Sequence, residues 1–316
     1  MIDTLRGQTA GTTHSDTYQQ RRYRLFVPSR YRPHHPRPLV MMLHGCTQDP
    51  DDFAAGTGMD ELAEEQGWFV LYPEQPASAN PRRCWNWFRP ENQVRGRGEP
   101  ATLVALVDHL AQSYAIDREQ IFVAGLSAGA CMAVSLAVSY PERFAAVGVC
   151  AGVPYGAARS PFGALAAMRS GASPANLLAA RMAAGLSPRP VLPLIVFQGT
   201  ADEVVAPENS TQLIRQWADL HRLSVPGASA AGAGPLPTSA RRVVPRRGHP
   251  FREELYRDRH GALVMCRYLV EGMGHSWPGG DPAGTYTDPA GPSASRLMVH
   301  FFRHAAKLRS GARRLH

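Results

Sequence analysis

The fold is decided by the stretch Ile121-Phe-Val-Ala-Gly-Leu-Ser-Ala-Gly-Ala130. The apolar residues 121–124 predict a short buried strand, and the Ala-Cys-Met-Ala-Val-Ser-Leu-Ala-Val run that follows the turn predicts a helix. Between them lies Gly125-Leu-Ser-Ala-Gly129, a G-x-S-x-G pattern. A sharp strand-to-helix turn lifts Ser127 clear of the sheet and has no room for side chains at the two glycines. The pattern therefore predicts a nucleophilic serine rather than an ordinary turn.

A second buried strand precedes a loop with a backbone role. Leu39-Val-Met-Met-Leu43 is a continuous apolar run, which is typical of a strand covered on both faces. It leads into His44-Gly-Cys-Thr-Gln48. In α/β-hydrolases this loop supplies one oxyanion-hole N–H, and the residue after the nucleophile supplies the other. We therefore expect the backbone N–H groups of Cys46 and Ala128 to form the oxyanion hole, and we interpret His44 as a structural histidine.

The acid and the base are expected on later loops. The apolar run Leu192-Pro-Leu-Ile-Val-Phe197 predicts a strand that delivers Asp202, with Glu203 as its chief rival. Residues 251–256 and 263–270 predict a hairpin, and His275 follows it in a glycine-rich loop. The chain order of serine, acid and histidine is that of α/β-hydrolases, and it singles out His275 among 12 histidines.

These groups make a complete acyl-transfer set. Ser127 needs a base, which His275 supplies, while Asp202 holds the imidazole in the correct tautomer. Two N–H donors stabilise the tetrahedral oxyanion. A metal adds nothing that this set lacks, so we expect neither a metal nor a cofactor.

Length and charge exclude other classes of function. The chain has 316 residues, 44% of them hydrophobic, which suits one α/β domain. Its net charge of +8 comes almost entirely from arginine, and no nucleic-acid-binding motif accompanies it. No apolar run reaches the length of a membrane span, and the N-terminus has no signal-peptide pattern. We therefore expect no nucleic-acid or membrane partner, and a cytoplasmic location if the start of the chain is correct.

The domain organisation is predicted to be simple. Residues 1–17 are expected to be flexible, 18–308 to form a single catalytic domain, and 309–316 to form a basic tail. Within the domain, residues 151–190 predict a cap-like insertion with one or two short helices, and the Ala-Gly-Pro-Ser loop 224–240 is expected to be mobile. Residues 23–28 predict an edge strand. Helices are predicted at 52–66, 99–114, 209–221 and 293–308, and further strands at 68–72 and 144–150.

Five cysteines are present, without a C-x-x-C motif. Cys46 and Cys84 lie in segments that should both line the mouth of the active site, but the sequence alone does not establish whether they pair. Trp85 and Trp87 belong to an aromatic cluster that could be either a small satellite core or a substrate platform.

Six motifs together resemble the polyhydroxybutyrate (PHB) depolymerase-type esterases, which are related to feruloyl and acetylxylan esterases. The motifs are Leu-His-Gly-Cys-Thr-Gln (43–48), Tyr-Pro-Glu-Gln (72–75), Cys-Trp-Asn-Trp-Phe (84–88), Gly-Leu-Ser-Ala-Gly (125–129), Gly-Thr-Ala-Asp (199–202) and Gly-Met-Gly-His-Ser-Trp (272–277). The resemblance implies an α/β-hydrolase fold: a mostly parallel sheet with helices on both faces. It also implies carboxylic-ester hydrolysis by Ser127, Asp202 and His275. Because many members are secreted, the resemblance also implies an extracellular or periplasmic location.

The sequence leaves more than one class of ester substrate in consideration. The leading hypothesis is a serine esterase for short hydroxyalkanoate esters or oligomers, and the closest alternative is a feruloyl or acetylxylan esterase with the same triad. A non-catalytic binding protein on a hydrolase fold and a peptidase are weaker competitors. The substrate-binding candidates are Trp85, Trp87, Trp277 and Gln48. The oligomeric state is not fixed by the sequence.

Overall fold

The structure, a computed structural model, describes residues 11–174, 176, 192–220 and 235–313. Within these ranges the strands are Thr12–Tyr18 (β1), Arg21–Val27 (β2), Arg37–Leu43 (β3), Phe69–Pro73 (β4), Ile116–Leu126 (β5), Ala146–Cys150 (β6), Leu194–Gly199 (β7), Ser239–Val243 (β8), Phe251–Arg257 (β9), Leu263–Val270 (β10), Trp277–Pro278 (β11) and Thr287–Asp288 (β12). The first ten form one sheet in the order β1-β2-β4-β3-β5-β6-β7-β10-β9-β8, and the last two pair separately.

The centre of the sheet is parallel and its edges are antiparallel. Strands β4, β3, β5, β6, β7 and β10 run parallel to one another. The outer strands β2 and β9 each pair antiparallel with their inner neighbours. The continuous apolar runs predicted as buried strands, residues 39–43, 121–124 and 194–197, are buried in the structure. Strands of this kind need cover on both faces.

Seven helices lie within the described ranges, together with a 3₁₀ turn at Pro90–Gln93. Their bounds are Pro50–Thr57 (α1), Met59–Gln66 (α2), Gly98–Ser113 (α3), Ala128–Ser139 (α4), Pro161–Ser170 (α5), Glu208–Leu220 (α6) and Ala294–Arg313 (α7). Helix α3 packs with α4, and α2 packs with α7, while α4 and α7 both cover β5 and β6. The sheet is therefore covered by helices on both faces, as predicted.

The helix predicted over 52–66 is two helices. Gly58 has φ of +57° and ends α1 in the left-handed region, and the chain restarts as α2 at Met59. Asp49 caps α1 by accepting hydrogen bonds from the N–H groups of Asp51 and Asp52. Both helices bury apolar side chains, such as Phe53 in α1 and Leu62 in α2. The apolar spacing therefore continues across the break at Gly58 and predicted a single helix.

The N-terminal prediction was wrong for residues 12–17, which belong to strand β1. Their side chains are exposed, so no apolar alternation marks the strand. Its backbone pairs with β2 through a two-residue turn at Gln19 and Gln20, which both have positive φ, as mirror-image hairpin turns require. Strand β2 is consequently the second strand of the sheet and not its edge.

Other predicted segments are partly described. Helix α5 lies within the predicted insertion 151–190, but residue 175 and residues 177–191 lie outside the described residues. Of the loop predicted over 224–240, residues 224–234 also lie outside them, and Ser239 and Ala240 begin β8. The hairpin predicted before His275 is confirmed by the antiparallel pairing of β9 and β10. Helix α7 continues to Arg313, into the predicted basic tail.

The parallel strands bring their following loops to one edge of the sheet. The loop after β3 carries Cys46, the turn after β5 carries Ser127, and the loops after β7 and β10 carry Asp202 and His275. The carboxyl edge of an open α/β sheet is where ligands bind in such folds.

Candidate active site

Ser127 sits in a strained turn at the end of β5. Its φ and ψ are 55° and −120°, and its N–H donates to the carbonyl of Cys150 at 2.9 Å. A Cβ at Gly129 would lie 2.0 Å from the carbonyl oxygen of Leu43, and one at Gly125 would lie 2.5 Å from the carbonyl carbon of Gly129. The expected lack of space at both glycines is confirmed, since backbone atoms fill it.

Asp202 and His275 form a hydrogen-bonded pair. His275 Nδ1 and Asp202 Oδ2 are 2.8 Å apart, and the Asp202 side chain is fully buried. The N–H groups of Val204 and Val205 donate to Asp202 Oδ1 at 2.9 and 2.8 Å. Glu203, the rival acid, is exposed. The geometry therefore favours Asp202 as the partner of the histidine.

A buried glutamine supports this pair. Gln198 Nε2 donates to Asp202 Oδ2 at 3.2 Å and to the carbonyl oxygen of Val205 at 3.0 Å. Gln198 was missed at the sequence level because a glutamine at the end of an apolar strand has no motif of its own. It fixes the carboxylate oxygen that also accepts from His275.

Ser127 and His275 line the same cavity. With Asp202 accepting at Nδ1–H, the Nε2 atom of His275 carries a lone pair that can take a proton. Among the described residues, the Ser127 hydroxyl makes no hydrogen bond to the His275 ring. Nucleophile-to-base contacts of this kind are often long before substrate binds.

The loop after β3 leaves one N–H free at the predicted position. The N–H of Gly45 donates to Gln48 Oε1 at 2.9 Å, and the N–H of Thr47 donates to the carbonyl oxygen of Arg82 at 2.7 Å. Within the part of the chain that the structure describes, the intervening N–H of Cys46 has no acceptor. Ala128 is the first residue of α4, where N–H groups lack a partner within the helix. Both donors predicted for the oxyanion hole border the cavity.

His44 holds this loop as a neutral histidine. Its Nδ1 lies 2.7 Å from the carbonyl oxygen of Gly45, and its Nε2 accepts from the N–H of Gln75 at 3.0 Å. Burial lowers the pKa of His44 from its ordinary value to about 4. The indole N–H of Trp85 donates to the carbonyl oxygen of His44 at 3.1 Å. These contacts bear out a structural role for His44.

A disulfide joins Cys46 to Cys84. It ties the loop that carries the Cys46 N–H to the aromatic segment of Trp85 and Trp87. The other three cysteines are buried thiols, and burial raises the pKa of Cys131 and of Cys266 to about 12. A raised thiol pKa makes them poor nucleophiles at neutral pH.

The cavity measures about 510 Å³ and is largely apolar. Trp85 and Trp87, both predicted as substrate-binding residues, adjoin it, but both are buried and Trp85 completely so. Tyr286 also lines it and was missed by the sequence reasoning, because it lies in a Gly- and Pro-rich loop beyond the last motif. Its ring centroid is 6.5 Å from that of His275, and its hydroxyl lies 3.2 Å from Thr47 Oγ1.

Two predicted substrate-binding residues lie elsewhere. Gln48 is buried, and besides holding Gly45 it donates from Nε2 to Asp52 Oδ2 at 2.8 Å and to the carbonyl oxygen of Thr285 at 3.0 Å. Trp277 is also buried and packs edge-on against Phe53. The structure does not bring either side chain to the cavity wall, because both are committed to internal contacts.

The described ranges hold neither a cluster of metal ligands nor a helix suited to span a membrane. No group of three or more His, Cys, Asp or Glu side chains is placed there to hold a metal ion. None of the helices in these ranges combines the length and the apolar character that crossing a bilayer needs.

Known proteins with similar sequences are esterases and depolymerases. The model of the family described as Esterase PHB depolymerase matches residues 22–235. Poly(3-hydroxyalkanoate) depolymerase C of Paucimonas lemoignei is 30% identical over 83% of this chain and 59% of that protein. Acetylxylan esterase A of Talaromyces purpureogenus is 29% identical over 57% of this chain and 49% of that protein. The chain thus spans about half to three fifths of the length of these curated relatives.

The solved structure of acetyl xylan esterase from Aspergillus awamori is similar in fold. It superposes with a TM-score of 0.71 and covers 93% of this chain and 100% of its own, at 20% sequence identity. At that identity the likeness concerns the fold alone. The predicted α/β-hydrolase fold is confirmed by this neighbour together with the sheet and its helix layers.

Proposed function

Because the chain belongs to the Esterase PHB depolymerase family, we propose that it is a serine carboxylic-ester hydrolase acting on short hydroxyalkanoate esters or oligomers. The observation that carries the proposal is the buried Asp202–His275 pair, 2.8 Å apart, on the cavity that Ser127 also lines. An acid, a base and a cavity-lining serine on a strained turn form the constellation for acyl transfer.

The mechanism assigns a step to each group. Ser127 Oγ attacks the ester carbonyl while His275 Nε2 takes the hydroxyl proton, and Asp202 stabilises the resulting imidazolium. The N–H groups of Cys46 and Ala128 donate to the tetrahedral oxyanion, each contributing about 3 kcal/mol of transition-state stabilisation. His275 then returns the proton to the leaving alcohol, which leaves an acyl group on Ser127. Water, activated by His275, releases the acid.

The cavity and its rim favour an apolar ester chain. The side chain of Phe162 is 88% exposed, and Leu165, Val204 and Tyr286 are also large, exposed and apolar or aromatic. The last three line the cavity, and Phe162 lies between the lining residues Pro161 and Ala164. An exposed apolar cluster of this kind suits a partner that is itself apolar. This argues for an alkanoate chain over the hydroxyl-rich surface of a polysaccharide.

The alternative is a feruloyl or acetylxylan esterase with the same triad. It is supported by the relatedness to acetylxylan esterase A and by the exposed ring of Tyr286 in the cavity lining, since aromatic faces also suit sugar and feruloyl rings. A non-catalytic binding protein is disfavoured because Ser127, Asp202 and His275 are all present.

A matched substrate panel tests the proposal. Wild type and Ser127→Ala are compared on p-nitrophenyl butyrate, hydroxybutyrate oligomers, methyl ferulate and acetylated xylan. We expect the wild type to prefer butyrate and hydroxybutyrate oligomers and Ser127→Ala to lose nearly all turnover. Preference for ferulate or acetylated xylan would transfer the function to the carbohydrate esterases. Equal turnover by both proteins would exclude Ser127 as the nucleophile.

A further inference from the structure

The cavity wall carries one side chain with a permanent charge. Of the residues that line it within the described ranges, none is Asp, Glu or Lys, and Arg82 is the one arginine. Its side chain is exposed at the mouth. An anionic group entering this cavity would therefore meet a positive charge and no carboxylate in the lining. This asymmetry is not needed for acyl transfer, because none of the proposed catalytic steps uses Arg82.

The guanidinium of Arg82 is not committed to an internal ion pair. In the described part of the chain no acidic side chain pairs with it, whereas the adjacent Arg83 lies 3.6 Å from Asp49 and Arg89 lies 4.0 Å from Glu91. The backbone of Arg82 is fixed independently of its side chain. Its carbonyl oxygen accepts from the N–H of Thr47 at 2.7 Å, and its N–H donates to Asn80 Oδ1 at 3.0 Å.

A chain of contacts links the backbone of Arg82 to His275. His275, which returns the proton to that alcohol, faces the ring of Tyr286. The Tyr286 hydroxyl touches Thr47 Oγ1, and the N–H of Thr47 bonds to the carbonyl of Arg82. Helix α5 contributes apolar residues to the cavity lining, including Ala164, and we infer that an acyl chain packs against them.

We propose that Arg82 recognises a carboxylate on the alcohol portion of the ester, so that the enzyme selects acid-terminated hydroxyalkanoate oligomers. This inference rests on the proposed esterase function. In such an oligomer the terminal unit leaves as a hydroxy acid. The bond between the acyl carbon and the ester oxygen breaks, the Ser127 Oγ–acyl bond forms, and the leaving oxygen takes its proton from His275. The free carboxylate takes no part in these bonds and only forms an ion pair with Arg82.

The test uses a pair of substrates that differ only in that charge. The hydroxybutyrate dimer with a free carboxylate is compared with the dimer whose terminal acid is a primary amide. Wild type, Arg82→Gln and Arg82→Lys are measured, with Arg83→Gln as the matched control, because Arg83 is the neighbouring arginine and does not line the cavity. The readout is the ratio of kcat/KM for the acid to kcat/KM for the amide.

We expect the wild type to prefer the acid and Arg82→Gln to lower that ratio by about fivefold, as an accessible ion pair allows. Arg82→Lys should retain most of the preference, Arg83→Gln should retain all of it, and added salt should reduce it. An unchanged ratio in Arg82→Gln, or an equal fall in Arg83→Gln, would overturn the role of Arg82. In either case, turnover of p-nitrophenyl butyrate by the wild type would leave the proposed esterase function standing. Absence of all ester turnover would overturn both.

Discussion

At the scale of single residues, the chemistry depends on which acid holds the histidine. Asp202 is buried and accepts from His275, while Glu203 points to solvent. Replacing Asp202 by Asn keeps the shape but removes the charge and allows the wrong histidine tautomer.

We expect Asp202→Asn to lower kcat for p-nitrophenyl butyrate by about 10⁴-fold, as loss of the acid does in Ser-His-Asp hydrolases. Glu203→Gln is the matched control and should retain activity. Unfolding by urea separates loss of function from loss of fold. The assignment of the acid would be reversed if Glu203→Gln were the inactive variant and Asp202→Asn were not.

His44 makes a prediction about pH at the same scale. Its pKa is about 4 in the folded protein and about 6.5 when unfolded. The unfolded chain therefore binds more protons between these values, so the contribution of neutral His44 to stability is complete above pH 6.5 and is lost as the pH falls towards 4. The full span corresponds to about 3 kcal/mol.

The measurement is the free energy of unfolding in urea at pH 7 and pH 4.5 for wild type and His44→Asn. Carboxylates titrate in both proteins, so the comparison isolates the histidine. We expect the wild type to lose more stability on acidification than the variant. Equal losses would show that His44 does not titrate with a lowered pKa.

At the scale of elements, the junction between β5 and α4 depends on the two glycines around Ser127. Gly129→Ala would place a Cβ against the carbonyl oxygens of Leu43 and His44, at 2.0 and 2.5 Å, and these backbone atoms belong to a central strand and its loop. We expect this variant to lose about 1–3 kcal/mol of stability, as overpacking does.

Gly163→Ala is its control, since that glycine lies in α5 and its nearest new neighbour would be Ser160 Oγ at 3.3 Å. Alanine is the better helix former, so Gly163→Ala should be neutral or stabilising by up to about 1 kcal/mol. The sign of each change is read from urea unfolding. Equal tolerance of alanine at both positions would contradict the described close packing of the turn.

The disulfide between Cys46 and Cys84 links two loops of the site, and closing it removes freedom from the unfolded chain. We expect reduction by dithiothreitol to lower stability by about 2–4 kcal/mol. Esterase activity should fall as well, because the loop that carries the Cys46 N–H loses its tether. Cys84→Ser should show the same losses without reductant and no further response to it. Equal activity with and without the disulfide would mean that the loop is held by its hydrogen bonds alone.

At the scale of the whole molecule, the sequence predicted the parts whose signal is local. Apolar runs such as residues 39–43 marked the buried strands, and the order of Ser127, Asp202 and His275 marked the architecture. These signals succeed because a strand covered on both faces has to be apolar and a strained turn has to contain glycine.

The parts that escaped prediction depend on contacts between distant segments. Strand β1 pairs with β2 through its backbone and shows no apolar alternation. Gln48 and Trp277 belong to two of the motifs, but their contacts with Asp52, Thr285 and Phe53 commit them to the interior. Tyr286 reaches the site from a loop that no motif marks. The sequence pattern of one segment does not indicate which of its side chains will be covered by another segment.

The proposed esterase function depends on Ser127 being an activated nucleophile. The most direct measurement is labelling of the folded protein with a fluorophosphonate, followed by peptide mapping of wild type and Ser127→Ala. We expect one phosphonylated site in the wild type, on the peptide that contains Ser127, and no label in Ser127→Ala. Absence of label in a folded wild type, or the same label in Ser127→Ala, would contradict it and would favour a binding protein built on a hydrolase fold.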